Sequence, residues 1–213
     1  MSGKARFRLM STLLTGLLLG SGARAVATPV IFSGNAYEYV PVGGLTWGEA
    51  ESAAEAATYA GVHGHLVTIL SSDENAVVLG LAAGVSHSVW IGATDVAVEG
   101  NWRWVTGEQF WTGDASGTTG PDVFYANWAL GQPDNYNGNQ DWATMFGAAV
   151  PTPYTPGTWD DGGFGGGDPA SVYFREGYVV EYDLAAVPEP SSLLILGTGA
   201  VVLIRRRSRA KPV

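Results

Sequence analysis

Apolar and polar positions alternate along "NAYEYV" (35–40), the two-residue period of a strand with one buried face. The next stretch, "LTWGEAESAAEAATYAG" (45–61), drops that alternation. Thr46 stands three residues before Glu49, the spacing of a capping box, and the alanines that follow favour helix. Gly61 then sits where a helix C-terminal cap belongs. "HLVTI" (65–69) reads as a strand again. Ser71 and Glu74 form a second capping box ahead of an apolar face at Val77, Val78 and Leu81, which predicts a second helix before Gly84. Beyond it come only short apolar runs, "SVWIGA" (88–93), "NWRWVTG" (101–107), "DWATMFG" (141–147), "GTWD" (157–160) and "GYVVEYD" (177–183). Gly-, Asn- and Pro-rich loops separate them, the longest over about 112–138. Two helices followed by a run of strands describe an α+β domain, not a parallel α/β sheet.

The two ends follow other rules. Lys4, Arg6 and Arg8 precede the apolar run "LMSTLLTGLLLG" and then small residues, the order of a secretory signal peptide over 1–27. Ala23-Arg24-Ala25 and Ala25-Val26-Ala27 both fit a cleavage site. At the other end, Pro188-Glu189-Pro190 is followed by an apolar run over 193–204 and by Arg205, Arg206, Arg207 and Arg209. A basic cluster behind an apolar segment holds that end on the cytoplasmic side, and a run this short is a marginal anchor by itself. In this order the residues resemble a PEP-CTERM sorting tail over 187–213. The resemblance implies export in a Gram-negative cell, transient anchoring in the inner membrane, and processing by an exosortase-type enzyme. The product would then reside at the cell surface or outside the cell.

Setting both ends aside changes the charge. The whole chain carries −9, but residues 28–187 hold nineteen Asp and Glu against Arg103 and Arg175, a balance of −17. So acidic a domain argues against nucleic acid or anionic lipid as a partner. About 160 residues are enough for one domain, over 28–186, with a real core. The chain has no cysteine, so disulfides are excluded although export would permit them. His63, His65 and His87 show no metal-ligand spacing.

Candidate chemistry concentrates in "GQPDNYNGNQDWATM" (131–145) and "WDDGG" (159–163). Gln132, Asp134, Gln140 and Asp141 fall within ten residues of each other, and Asp160 and Asp161 follow Trp159. Calcium needs six to eight oxygen ligands, and two loops offering acid and amide oxygens would supply them. The same residue types also favour plain turns, and spacing alone does not separate the two readings. A hydrolase pair at Asp160 and Asp161 is disfavoured, because neighbours on a strand point to opposite faces.

Six segments in order, "GHLVTILSSDEN" (64–75), "WIGATD" (90–95), "GNWRWVTGEQ" (100–109), "NWALGQPDN" (127–135), "TWDD" (158–161) and "YVVEY" (178–182), resemble a C-type lectin-like domain across nearly the whole mature chain. The resemblance implies that fold, with two helices, short antiparallel strands and a long ligand-binding loop. It implies no enzyme but a calcium-dependent lectin whose metal ligands are Gln132, Asp134, Gln140, Asp160 and Asp161, with a cis bond before Pro133. Two neighbouring sugar hydroxyls would replace water on the calcium while hydrogen-bonding to Gln132, Asp134, Gln140 and Asp160. The Gln-Pro-Asp order resembles the galactose-type motif, and Tyr136 falls where an aromatic covers the sugar's C–H face. Four positions depart from the family: Gln140 replaces a Glu, Asp160 replaces an Asn, and Trp142 and Val180 stand where disulfide cysteines are usual. The alternative expectation is a structural or protein-binding matrix component that keeps the scaffold without sugar binding.

Overall fold

The computed structural model describes residues 28–123, 125–162 and 175–184. The expected signal peptide, the sorting tail and residues 163–167 of the glycine run lie outside the described residues. The chain opens with β1 (Val30–Phe32) and β2 (Asn35–Val40), then α1 (Trp47–Ala56). Short strands β3 (Thr58–Tyr59), β4 (Val62–His63) and β5 (His65–Leu66) lead into α2 (Ser72–Leu81). Then come β6 (Ser88–Thr94), β7 (Asn101–Trp104), β8 (Gln109–Thr112), β9 (Thr118–Thr119), β10 (Trp142–Phe146), β11 (Trp159–Asp160) and β12 (Arg175–Tyr182). The α+β expectation holds.

Both helices begin where capping predicts. Thr46 and Glu49 bond reciprocally at the start of α1. At α2 only half of the box forms: Ser71 Oγ accepts from Glu74 N–H, but the Glu74 carboxylate reaches past the cap. It accepts instead from Leu70 N–H at 2.6 Å and from the Tyr37 hydroxyl at 2.6 Å. That draws the helix start onto β2. Gly61 is not the cap of α1, which ends four residues earlier at Ala57. Ala60 and Gly61 both take positive φ, 50° and 84°, in the two-residue turn that joins β3 to β4. The expected strand over 65–69 is ladder-paired only at His65 and Leu66.

The main sheet runs β1-β2-β12-β6-β7-β8-β9, with β10 joining β6 and β11 joining β10. Neighbours pair antiparallel except β12 and β6, which run parallel. Trp102, Trp104, Phe110 and Trp159 fill one core cluster with Ile91, Met145 and Val179, and Trp128 packs against it. A second cluster lies under α1 and contains Ala50, Ala54, Leu66, Trp90 and Val180. Val180 is fully buried there and Trp142 packs against the same cluster, so apolar contact fills the two positions where the resemblance implies cysteines.

Candidate functional site

The long loop is brought to the last strands by backbone pairing at Trp159. Trp159 N–H donates to Asn127 C=O and Ala129 N–H donates to Trp159 C=O, both at 2.8 Å. Residues 127–129 therefore run beside β11, and the chain turns from there into Gln132, whose N–H donates to Ala129 C=O at 2.9 Å. The Gln132–Pro133 bond is cis. Asn135 and Asn137 then adopt left-handed conformations, φ 42° and 62°, which asparagine tolerates better than most residues. The loop closes on itself through Tyr136 N–H to Gln140 Oε1 at 2.6 Å and Gln140 N–H to Asn135 Oδ1 at 3.1 Å. It closes onto the strand through Asn135 N–H to Asp161 Oδ2 at 2.7 Å. The polar residues thus build the turn as well as lining what it surrounds.

Two concavities flank Asp134. Gln132, Asp134, Tyr136, Gln140 and Asp160 line a cleft of about 500 Å³. Asp161 opens instead into a neighbouring concavity of about 400 Å³, shared with Asp134, Asn135, Asp95, Glu99 and Asp114. Asp160 and Asp161 diverge as adjacent strand residues do. Four of the five expected metal ligands therefore share one cleft, and Asp134 is common to both. Among the described residues, no three His, Cys, Asp or Glu side chains converge as a ready cage.

The electrostatics are those of a site short of positive charge. Asp161 is fully buried, and its carboxyl is pushed up to about 7, chiefly by burial, against the Asn135 N–H and with Asp160 and Asp134 adding to the rise. Burial also raises Asp160, opposed by the Arg175 guanidinium. Gln132 Oε1 and Asp161 Oδ1 are buried acceptors with no hydrogen-bond partner. Such orphans are costly, and each of the five side chains carries a carboxylate or amide oxygen that a cation could take. The set fits a hard cation such as calcium.

Sequence reasoning missed two features. Arg175, read there only as one of two bases, is buried with its guanidinium 5.0 Å from the Trp90 ring centre. It donates to Ser88 Oγ at 2.9 Å and to Gly162 C=O, which braces the chain after the Asp pair. Burial lowers its pKa to about 10, partly offset by Asp160. The other feature is Asp95, at the end of the buried strand β6, where a carboxylate was a visible anomaly.

Asp95 Oδ2 accepts from Gly100 N–H at 2.8 Å, while Oδ1 has no partner. Burial pushes its carboxyl up to about 7, with Glu99 and Asp141 acting in the same direction. A folded pKa above the unfolded 3.8 gives stability that is full below about pH 4 and declines as pH rises toward 7. Asp95→Asn keeps an acceptor for Gly100 and removes the titration. In EDTA it should raise Tm at pH 8 by about 3 °C, the effect of roughly 1 kcal/mol in a domain this size, and change little at pH 4. Equal effects at both pH values would count against the titration.

Residues 46–163 match the Lectin C-type domain family. The chain belongs to that family. Residues 186–209 of this C-type lectin protein match the PEP-CTERM protein-sorting motif, the mark of export through the exosortase system. The chain is 37% identical over 136 residues to halomucin of Haloquadratum walsbyi, a match to 58% of this chain and 1% of that protein. It is 37% identical over 118 residues to the alpha-N-acetylgalactosamine-specific lectin of Patiria pectinifera, covering 54% of this chain and 61% of that lectin. The chain thus spans less than two thirds of each of these relatives. Its fold matches the C-type lectin CEL-I from Cucumaria echinata with a TM-score of 0.55 at 22% identity, over 75% of this chain and 97% of that one. The mouse scavenger receptor C-type lectin carbohydrate-recognition domain matches with a TM-score of 0.51 at 25% identity, over 76% and 98%.

Proposed function

We propose that the domain binds carbohydrate with calcium, in the galactose-type manner, on a protein exported and processed through its sorting tail. The observation that carries this reading is the single cleft shared by Gln132, Asp134, Gln140, Asp160 and the exposed Tyr136. Gln132, Asp134, Gln140 and Asp160 would hold the ion from this cleft, with Asp161 as a fifth ligand from the neighbouring concavity that shares Asp134. The ion when bound would offer coordination positions to two neighbouring sugar hydroxyls. The residues do the rest. Asp134 and Asp160 accept hydroxyl protons, and the Gln132 and Gln140 amides donate to hydroxyl lone pairs. Tyr136, 59% exposed, offers its ring to the sugar's C–H face. The alpha-N-acetylgalactosamine specificity in the name of the Patiria pectinifera lectin agrees with a galactose-type preference.

Export, transient inner-membrane anchoring, exosortase-type cleavage, and a final place at the cell surface or in the extracellular matrix follow from the sorting motif on this reading. The acidic balance of the domain keeps nucleic acid out of the reading. It is a binding protein rather than an enzyme, in keeping with the lectin named among its relatives.

The test is calorimetric titration of EDTA-stripped, full-length protein with calcium, then with galactose and mannose in calcium. We expect saturable calcium binding at millimolar affinity or tighter, and galactose binding that EDTA reverses. Galactose binding that survives EDTA would separate sugar recognition from calcium, and a failure to bind calcium would overturn the ligand set.

A further inference from the structure

The cleft that receives Tyr136 has a second aromatic wall. Tyr136 and Tyr154 are the two strongly exposed aromatic side chains among the described residues, at 59% and 54%, and both line this one cleft. Tyr154 does not swing freely. Its ring lies 4.8 Å from that of Phe146, tilted by 36°, and Phe146 is a nearly buried residue of β10.

The loop that carries Tyr154 is tied down on both sides. Tyr154 N–H donates to Pro151 C=O at 3.2 Å, and Thr158 Oγ1 donates to Thr155 C=O at 2.8 Å. Gly157 N–H donates to Phe146 C=O at 2.9 Å, while the Asn75 and Asn127 side-chain amides both donate to Gly157 C=O. A ring held this way is a platform, and little ordering is left to do when something lands on it.

What would land there is constrained by the opposite wall. Asp134, Asp160, Gln132 and Gln140 face the same space, so an acyl chain or apolar peptide on Tyr154 would strip water from those groups without pairing them. A pyranose meets both demands, with hydroxyls for the carboxylates and amides and a C–H face for the ring. The cleft of about 500 Å³ lies in the range that takes a drug-sized ligand, which leaves room beyond one sugar ring.

We propose that Tyr154, backed by Phe146, forms a second sugar subsite, so that the ligand is an oligosaccharide with its terminal residue at the Gln132–Asp160 end and its adjoining ring on Tyr154. The proposal rests on the carbohydrate reading above and adds the substrate class.

The experiment compares full-length wild type, Tyr154→Ala and Tyr154→Phe in calcium. The probes are galactose, mannose, and a panel of disaccharides that carry each at the non-reducing end in different linkages. In wild type, at least one disaccharide should bind about 3- to 10-fold more tightly than its terminal monosaccharide, the yield expected of one stacked ring. Tyr154→Ala should erase that advantage while leaving monosaccharide and calcium affinity within about twofold, and Tyr154→Phe should keep it.

Three results would overturn the proposal. If no disaccharide gains over its monosaccharide, the subsite falls while the lectin reading stands. A phenyl or octyl monosaccharide glycoside gaining as much as the disaccharides would make Tyr154 an apolar platform and not a sugar subsite. Absence of binding by every sugar would take the lectin reading down and this proposal with it.

Discussion

Asp134→Ala is expected to abolish sugar binding and to weaken calcium binding by at least about 100-fold, since losing even a residue that merely supports a ligand costs 10- to 100-fold. Asp134 lines both concavities, so its carboxylate is the one group that neither side of the site can replace. The variant also has an internal control. Asp134 is exposed, and its charge raises the carboxyls of Asp160 and Asp161. Removing it relieves repulsion in the metal-free protein, so in EDTA the variant should melt no lower than wild type. Calorimetry with calcium and galactose, beside thermal melts in EDTA, reads both effects. Galactose binding retained by the folded variant would remove Asp134 from the site.

Trp159→Ala should be the most damaging single core change. Trp159 is fully buried, with Trp104, Phe110, Tyr125 and Trp128 arranged edge-on around it at ring separations of 5.5 to 5.9 Å. Its indole N–H donates to Asn75 Oδ1 at 2.8 Å, which ties β11 to α2. Truncating a buried tryptophan costs about 3–5 kcal/mol, and here Asn75 also loses its partner. In a domain of this size that is a Tm decrease on the order of 10 °C. Function should suffer in step, because the same residue's backbone holds 127–129 beside the Asp160–Asp161 pair. Trp159→Phe keeps an edge-on ring and should recover more than half of the loss. A variant that melts like wild type would mean that the aromatic cluster contributes little to holding the loop.

Much of this architecture was legible because its causes are local. A capping box spans four residues, and both helix starts follow from the chemistry at Thr46 and Ser71. Strand periods are equally local, and β2 lies where the alternation of "NAYEYV" puts it. The errors also have local form and distant cause. Gly61 suits a helix cap and a hairpin turn equally, and the pairing of Thr58 with His63 decides for the turn. Glu74 suits its box, yet the Tyr37 hydroxyl on β2 offers it a different partner.

The candidate site divides the same way. Residue types and their order along the chain, together with the resemblance, were enough to single out Gln132, Asp134, Tyr136, Gln140 and the Asp160–Asp161 pair as candidates, because each lies in a short local pattern. Which oxygens share a space was not contained in that pattern. The backbone pairing of Trp159 with Asn127 and Ala129 brings the two loops together. The alternation along the chain there turns Asp160 toward the aromatic cleft and Asp161 toward Asp95. Arg175, in β12, reaches Gly162 and the neighbourhood of Asp160 only through the fold. Tyr154 likewise meets Tyr136 across a cleft, from a loop whose composition reads as ordinary turn. By itself the sequence determined the helix starts, most of the longer strands, the family and the stock of candidate oxygen ligands, since these depend on residue type and short spacing. Only the tertiary structure decided which groups face one another, because burial and long-range hydrogen bonds set direction, and direction is not written in spacing.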